Sequence, residues 1–155
     1  MKLFVLRHAD AIDLADDAAR PLSEEGWQQS VALGRRLAGR GDFNPAVIWH
    51  SPLVRARETT EGLLEGLGRP VPLRQVEELK PEDDPRVIAS WVSAQAQDLA
   101  IIGHEPHLGI LGGLLSYGKE GPSLLFRKAC GYVFERAAGE TGHFRIVDKV
   151  GPDLP

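Results

Sequence analysis

The segment from Lys2 to Arg7 is a nearly continuous apolar run, and it constrains the fold more than any other part of the chain. A short apolar run without alternating polar residues is typical of a strand that is buried on both faces of a parallel sheet. Similar runs extend from Ala46 to His50 and from Leu99 to Gly103. Because segments with helical patterns separate these runs, we predict a three-layer α/β/α sandwich with a mostly parallel mixed sheet.

Local signals define the other predicted elements. Ser23 is a favourable N-cap, and the helix behind it is expected to end at Gly39 and Gly41. The buried face of that helix is expected to consist of residues at spacings of four and three: Trp27, Val31, Gly34 and Leu37. The remaining predicted elements are helices from about Leu53 to Leu67, from Pro85 onward and from Pro106 to Leu115, a brief extended segment near Val71 to Val76, and a closing hairpin of Gly131 to Glu135 and His143 to Val147.

Length and composition limit the class of protein. The chain has 155 residues, of which 43% are hydrophobic, and this is enough for one core, so we expect a single domain over residues 1–155. No apolar stretch approaches the roughly 20 residues of a membrane span, and the N-terminal run is too short for a signal peptide. We therefore expect a soluble, cytoplasmic protein without a membrane partner. The net charge of −4 argues against a nucleic-acid partner. Cys130 is the single cysteine, which excludes an internal disulfide.

Arginine and histidine side chains follow the three predicted strands at the points where the strands end. Arg7-His8 closes the first strand, Ser51 to Arg55 follows the second, and His104 follows the third. The carboxyl ends of parallel strands meet at one edge of a sheet, so we expect these side chains and the helix N-terminus near Leu53 to converge. Guanidinium and imidazole groups are well suited to hold and attack a phosphoryl group. The sequence therefore predicts a phosphate pocket that contains a nucleophile.

The motifs that form this constellation resemble those of the histidine phosphatase superfamily, also called phosphoglycerate-mutase-like. Arg7-His8-Ala9-Asp10-Ala11 is similar to its Arg-His-Gly signature, and Ser51 to Thr59 is similar to its Ser-Pro-x-x-Arg-Ala-x-x-Thr segment. Gly103-His104-Glu105-Pro106 is similar to its second-histidine motif. The motifs follow the family's order across almost the whole chain. The short length, Asp10 and the segment Arg20-Pro21-Leu22-Ser23 most resemble the SixA-type phosphohistidine phosphatases.

The resemblance implies a phosphoglycerate-mutase-like fold and a phosphatase that acts through a covalent phosphohistidine. It assigns His8 as the nucleophile, and a neutral imidazole does attack phosphorus to give a P–N bond that water can cleave. Arg7, Arg55 and His104 are the other expected catalytic residues, and they would also bind the phosphoryl oxygens. Ala9 replaces the signature glycine, and we expect its backbone to need no positive φ.

Further residues are assigned to the site on the same basis. Arg20 and Ser51 are candidate phosphate contacts, and Glu78 is a candidate general acid. A metal site built from His8, His104 and an aspartate is disfavoured because the adjacent arginines repel a cation. We therefore expect neither a metal ion nor another cofactor.

Three functional hypotheses remain open at this point. The leading one is dephosphorylation of phosphohistidine on a protein, because a short chain leaves the pocket open to a phosphate borne by a protein. A small-molecule phosphomonoesterase or mutase with the same chemistry is the first alternative, which an enclosing cap would favour. A non-catalytic phosphate-binding module is the second, and intact His8 and His104 argue against it.

Overall fold

The computed structural model describes residues 1–119, 121–140 and 142–153. In this part of the chain, helices and strands alternate as far as the fourth α-helix, and two strands follow. The elements are β1 (Lys2–Arg7), α1 (Glu24–Arg40), β2 (Val47–His50), α2 (Val54–Leu67), β3 (Leu73–Gln75), α3 (Pro85–Ser93), β4 (Leu99–Gly103), α4 (His107–Tyr117), β5 (Gly131–Glu135) and β6 (Arg145–Val150), with short 3-10 turns at Asp17–Ala19 and Glu77–Leu79.

The strands form a mixed sheet in the order β3-β2-β4-β1-β5-β6. Strands β1, β4, β2 and β3 are parallel to one another, whereas β5 and β6 extend the sheet in antiparallel fashion beyond β1. Helix-bearing connections join the parallel strands, as parallel pairing requires. The predicted mostly parallel mixed sheet is confirmed.

Side chains from both faces of the sheet form hydrophobic clusters. Alternate residues of a strand point to opposite faces, so Leu3 and Val5 of β1 contribute to one cluster and Phe4 and Leu6 to the other. The first cluster includes residues of α3 and α4: Ile88, Val92, Leu108, Leu111 and Leu115. The second includes residues of α1 and α2: Leu33, Leu37, Leu63 and Leu67. The sheet is thus the middle layer of the predicted α/β/α sandwich.

Helix α1 confirms one sequence prediction and corrects two others. The Ser23 hydroxyl accepts a hydrogen bond from the Gly26 amide at 3.0 Å, as expected of an N-cap. Gly41 ends the helix with φ of 76°, whereas Gly39 lies inside it. Half of the predicted buried face is wrong, because Trp27 and Val31 are only half-buried, whereas Gly34 and Leu37 are buried as predicted. The helix also buries Leu33 and two small residues that a search for large apolar side chains passes over, Gly26 and Ser30.

The second strand of the closing hairpin was also misplaced. It was expected at His143 to Val147, but β6 begins at Arg145 and continues to Val150. Most of its side chains are exposed, so the apolar pattern that marks a buried strand is weak there. None of the helices in the described residues is long and apolar enough to cross a membrane.

Helices α1 and α2 approach so closely that glycines are required at their contact. A methyl group on Gly34 would lie 2.1 Å from the carbonyl oxygen of Leu63, and one on Gly66 would lie 1.9 Å from that of Val31. Both distances are far below van der Waals contact, and both obstacles are backbone atoms that cannot rotate away. The close approach fixes α2, the helix that carries Arg55, against α1.

We expect Gly34→Ala to lower the free energy of unfolding by about 1–3 kcal/mol, the usual cost of overpacking. Gly39→Ala in the same helix is the matched control, since nothing lies within 4 Å of its added methyl group. The control should be neutral or more stable by up to about 1 kcal/mol, because alanine favours the helix. Urea denaturation of both variants measures the difference. Equal stability of Gly34→Ala and wild type would contradict this account of the contact.

Candidate active site

The carboxyl ends of β1, β4 and β2 lie next to one another in the sheet. Arg7 pairs with Gly103, and His50 pairs with Ile102. The residues that follow these strands, His8, Ser51 and His104, therefore emerge at the same edge. The expected convergence of the strand ends is present in the structure.

His8 is held in one orientation by its own neighbour. Its ring is 5% exposed, and its Nδ1 lies 2.7 Å from the Ala9 carbonyl oxygen. A carbonyl can only accept a hydrogen bond, so Nδ1 carries the proton of the neutral ring. The lone pair of the neutral imidazole is then on Nε2. The ring centroid of His104 lies 5.0 Å from that of His8.

The environment of His8 favours the uncharged ring. Burial is the largest cause, and the Arg55, Arg7 and Arg20 guanidiniums act in the same direction, while the contact with Ala9 opposes them. Together they lower the pKa of His8 from 6.5 to about 4. An imidazole at pH 7 in this position is neutral and has a lone pair available.

The backbone around His8 is fixed by contacts that need no glycine. The Ala9 amide donates to the Thr59 hydroxyl at 2.9 Å, and that hydroxyl donates to the Arg55 carbonyl at 2.7 Å. Ala129 is the only described non-glycine residue with positive φ, so Ala9 is not in the left-handed region. The alanine at the signature position carries no backbone strain, as expected.

The guanidinium groups of Arg7 and Arg55 are each held by hydrogen bonds that leave the Nε atom unused. Arg7 Nη1 donates to the Phe126 carbonyl at 3.0 Å. Arg55 is 4% exposed, and it donates from Nη1 to the Asp17 carbonyl at 2.8 Å and from Nη2 to the Asp17 carboxylate at 3.2 Å. The Nε atoms of both arginines are buried and have no hydrogen-bond partner among the described residues. Each arginine thus keeps a buried donor that the protein does not use.

Arg20 joins this cluster through the loop between β1 and α1. It donates from Nε to the Ile12 carbonyl at 3.1 Å and contacts the carboxylates of Asp13 and Asp17 at 3.2 Å each. Its charge acts on both His8 and Arg55, lowering the pKa of each. Burial tends to raise the pKa of Asp17, but Arg20 and Arg55 outweigh it and hold the carboxyl below its usual range. Asp17 is therefore an anion bound between two arginines of the cluster.

His104 contacts Ser51 at the end of the neighbouring strand. The Ser51 hydroxyl lies 2.5 Å from His104 Nε2, and it also accepts a hydrogen bond from the Leu53 amide at 3.1 Å. Nδ1 of His104 is buried and has no partner among the described residues. Burial, and then the electrostatic influence of the neighbouring His8 and Arg55 side chains, lower the pKa of His104 far below 6.5. Ser51 is thus placed to orient His104.

Glu78 lies outside this group of contacts. It is half-buried in the 3-10 turn Glu77–Leu79, and its backbone approaches the ring of His107. No hydrogen bond or ion pair in the described residues joins its carboxylate to His8 or His104. The Glu105 carboxylate, which follows His104 directly, accepts from the Gly109 amide at 2.7 Å and is occupied in capping α4.

Sequence reasoning gave no role to two residues that support the site. Thr59 holds both Ala9 and the backbone of Arg55, and its place as the last residue of the Ser51 to Thr59 motif was the available signal. Asp17 binds Arg55 and Arg20, but it is one of several aspartates in a polar loop. Nothing in the local sequence distinguishes it from Asp13 or Asp16.

Comparison with known proteins identifies the family. Residues 3–81 match the model of the histidine phosphatase superfamily (branch 1). Phosphohistidine phosphatase SixA of Escherichia coli strain K12 is 30% identical over 127 residues, which are 79% of this chain and 78% of SixA. A 5''-phosphoribostamycin phosphatase of Niallia circulans is 34% identical over 127 residues, which are 75% of this chain and 58% of that protein.

The fold agrees with this result. A solved structure of the protein histidine phosphatase SixA in complex with tungstate superposes with a TM-score of 0.87 at 26% identity, covering 98% of this chain and 97% of the other. The motifs that suggested the resemblance lie together at one edge of the same sheet. The chain is a member of the histidine phosphatase superfamily, and it is a phosphatase similar to SixA.

Proposed function

We propose that this phosphatase removes the phosphoryl group from phosphohistidine on a protein, through a covalent phosphohistidine formed on His8, without a metal ion. The observation that carries the proposal is a set of buried donors without partners beside a neutral imidazole. Arg7 Nε, Arg55 Nε and His104 Nδ1 have no hydrogen-bond partner among the described residues. His104 Nδ1 is a donor in the tautomer in which the Ser51 hydroxyl donates to Nε2. Buried polar groups are normally paired, and leaving them unpaired costs free energy. A phosphoryl group with several acceptor oxygens is the ligand that suits such a set.

In the first step, Nε2 of His8 attacks phosphorus, and a P–N bond forms as the bond to the leaving group breaks. The arginines stabilise the negative charge on the equatorial oxygens, and His104 donates a hydrogen bond as a neutral imidazole. In the second step, water attacks phosphorus and the electron pair of the P–N bond returns to Nε2. The proton released from water passes to the phosphate or to solvent.

The leaving group decides whether a general acid is needed. The second ring nitrogen of a phosphorylated histidine can be protonated from water, so the ring departs as neutral imidazole without an acid supplied by the enzyme. A phosphate ester would leave as an alkoxide and would need a nearby acid. Glu78 stays the candidate for that role, although its carboxylate has no contact with either site histidine. The geometry therefore suits a phosphoramidate better than an ester.

The comparisons support the same substrate class. The similarity to SixA extends over most of both chains, and the solved SixA structure holds tungstate, a tetrahedral oxyanion like phosphate. The similarity to a 5''-phosphoribostamycin phosphatase favours a second candidate, hydrolysis of a small phosphate ester. The match covers 58% of that protein, however, against 78% of SixA.

Substrate choice and mechanism are tested together by phosphate release with EDTA present. We expect rapid release from a phosphohistidine peptide, slow release from p-nitrophenyl phosphate, and loss of both in His8→Ala. Brief reaction with labelled phosphoramidate should leave acid-labile, base-stable label on wild type and none on His8→Ala. His143→Ala, which removes an exposed histidine, is the matched control and should retain turnover and label.

The other outcomes identify the other functions. Equal turnover of the ester would favour the small-molecule phosphatase, and absence of release from any substrate would favour the phosphate-binding module. Turnover that survives His8→Ala would rule out the covalent mechanism.

Arg55 and Arg57 offer a test of the anion-binding role within one helix. Arg55→Lys keeps the charge but loses the planar set of donors, so we expect kcat/KM to fall by about 10²–10³. Arg57 is exposed and pairs with Glu61 at 3.6 Å, so Arg57→Lys should leave kcat/KM nearly unchanged. Steady-state kinetics with the phosphohistidine peptide compares them. If Arg55→Lys also left kcat/KM nearly unchanged, the positive charge at position 55 would be sufficient and the planar set of donors would not be needed.

The protonation of His8 gives a further test. Because burial and the arginines lower the pKa of its ring to about 4, His8 should stay neutral when the pH falls from 8 to 6. Bound phosphate brings negative charge next to the ring and should raise this pKa. Imidazole ¹⁵N resonances followed from pH 8 to 4, with and without inorganic phosphate, measure both effects. The urea-unfolded chain, in which histidine titrates near its usual 6.5, is the reference. A folded-state pKa near 6.5 would contradict the neutral nucleophile.

A further inference from the structure

A groove of about 630 Å³ opens beside the phosphate site, between the segment that precedes β5 and the end of β6. We call it the basic groove and define it by six of its lining residues: Leu125, Arg127, Lys128, Cys130, Tyr132 and Lys149. None of these six residues takes part in the proposed chemistry.

The wall of the basic groove is bonded directly to the phosphate-binding strand end. Arg7 donates from Nη1 to the Phe126 carbonyl at 3.0 Å and from its amide to the Cys130 carbonyl at 2.9 Å. The Ala129 amide donates to the His8 carbonyl at 3.0 Å. A polypeptide lying in the groove would therefore be one backbone segment away from the nucleophile.

The charge of the basic groove is opposite to that of the whole chain. The net charge of the protein is −4, yet the groove is lined by Arg127, Lys128 and Lys149 and by one carboxylate, Asp153. Lys128 pairs with Asp10 at 2.7 Å. The side chains of Arg127 and Lys149 are exposed and make no ion pair with any described residue. Two positive charges are thus free to meet an acidic partner.

An apolar contact surface lies next to these charges. Leu125 is 73% exposed, more than any other large apolar residue in the described chain. The Tyr132 hydroxyl donates to the Leu125 carbonyl at 2.8 Å, which holds the segment in place, and Lys149 Nζ lies 5.9 Å from the centre of the Tyr132 ring. Tyrosine and arginine are enriched at surfaces that bind polypeptides, and the exposed leucine adds apolar area beside them.

We propose that the basic groove binds an acidic segment of the protein that carries the phosphohistidine, and so selects the substrate. This inference rests on the proposed function, because it assumes that the phosphoryl group arrives on a polypeptide. Charge complementarity steers such a partner to the groove, and the Arg7 contacts place it at the site. Small phosphorylated molecules reach His8 without entering the groove, so their turnover does not depend on it.

Two phosphohistidine peptides of equal length, one flanked by Asp and Glu and one by Lys, test the selection. Wild type should have a higher kcat/KM for the acidic peptide, by about tenfold. Arg127→Glu/Lys149→Glu should abolish or reverse the preference and leave the turnover of phosphoramidate unchanged. Arg35→Glu/Lys119→Glu, at two exposed positions outside the groove, changes the net charge by the same amount and should keep the preference. Equal kcat/KM values for the two peptides in wild type would overturn the proposal, as would a preference that survives the double substitution.

A binding measurement separates the docking proposal from the catalytic one. Fluorescence anisotropy of the labelled, unphosphorylated acidic peptide should show binding to wild type and to Arg35→Glu/Lys119→Glu, and at least fivefold weaker binding to Arg127→Glu/Lys149→Glu. If this difference is found but neither phosphopeptide is turned over, the proposed function is wrong and the docking surface stands. If turnover is rapid but binding of the acidic peptide is the same for all three proteins, the docking surface is wrong and the proposed function stands.

Discussion

The parallel pairing of β1 with β4 is the constraint on which the rest of the site depends. The register that sets Arg7 opposite Gly103 makes His8 and His104 leave the sheet side by side, with ring centroids 5.0 Å apart. A slip of one residue would turn every side chain of β1 to the other face and move Leu3 and Val5 out of their cluster. Hydrophobic burial on both faces of the sheet therefore fixes the position of His8. Packing of the core thus determines the relative position of the two histidine rings.

The same burial also sets the chemistry of the histidines. A ring in water at pH 6 would be largely protonated, but exclusion of solvent and three neighbouring guanidiniums keep His8 neutral. Positive charge is thereby concentrated on arginines, which do not lose their protons, and the ring of His8 keeps its lone pair. Asp17 balances part of that charge by binding Arg55 and Arg20. Asp17 accepts from both Nη atoms of Arg55, through its carbonyl and its carboxylate, and leaves Nε without a partner among the described residues.

Sequence reasoning recovered the parts of the molecule where one physical signal dominates. β1 and β4 were predicted with the bounds that the structure has, because consecutive apolar residues followed by Arg7-His8 or His104 leave little choice. The face of α1 was misplaced because Gly26 and Ser30 are buried for their small size rather than for hydrophobicity. β6 was displaced because it is an exposed edge strand. Contacts made by backbone groups, such as that of the Phe126 carbonyl with Arg7, could not be predicted, because every residue has the same backbone carbonyl.

The residues of the candidate active site and those of the basic groove lie in different parts of the fold. The chemical groups stand on strand ends fixed by the core, whereas the basic groove is built from the connection before β5 and from the edge strand β6. Exposed charges such as Arg127 and Lys149 contribute little to folding stability, because they are solvated and make no ion pair within the described chain. Under the proposed docking role, changes there would alter which partner is bound without disturbing His8. Selectivity among phosphorylated proteins would then vary while the proposed chemistry stays the same.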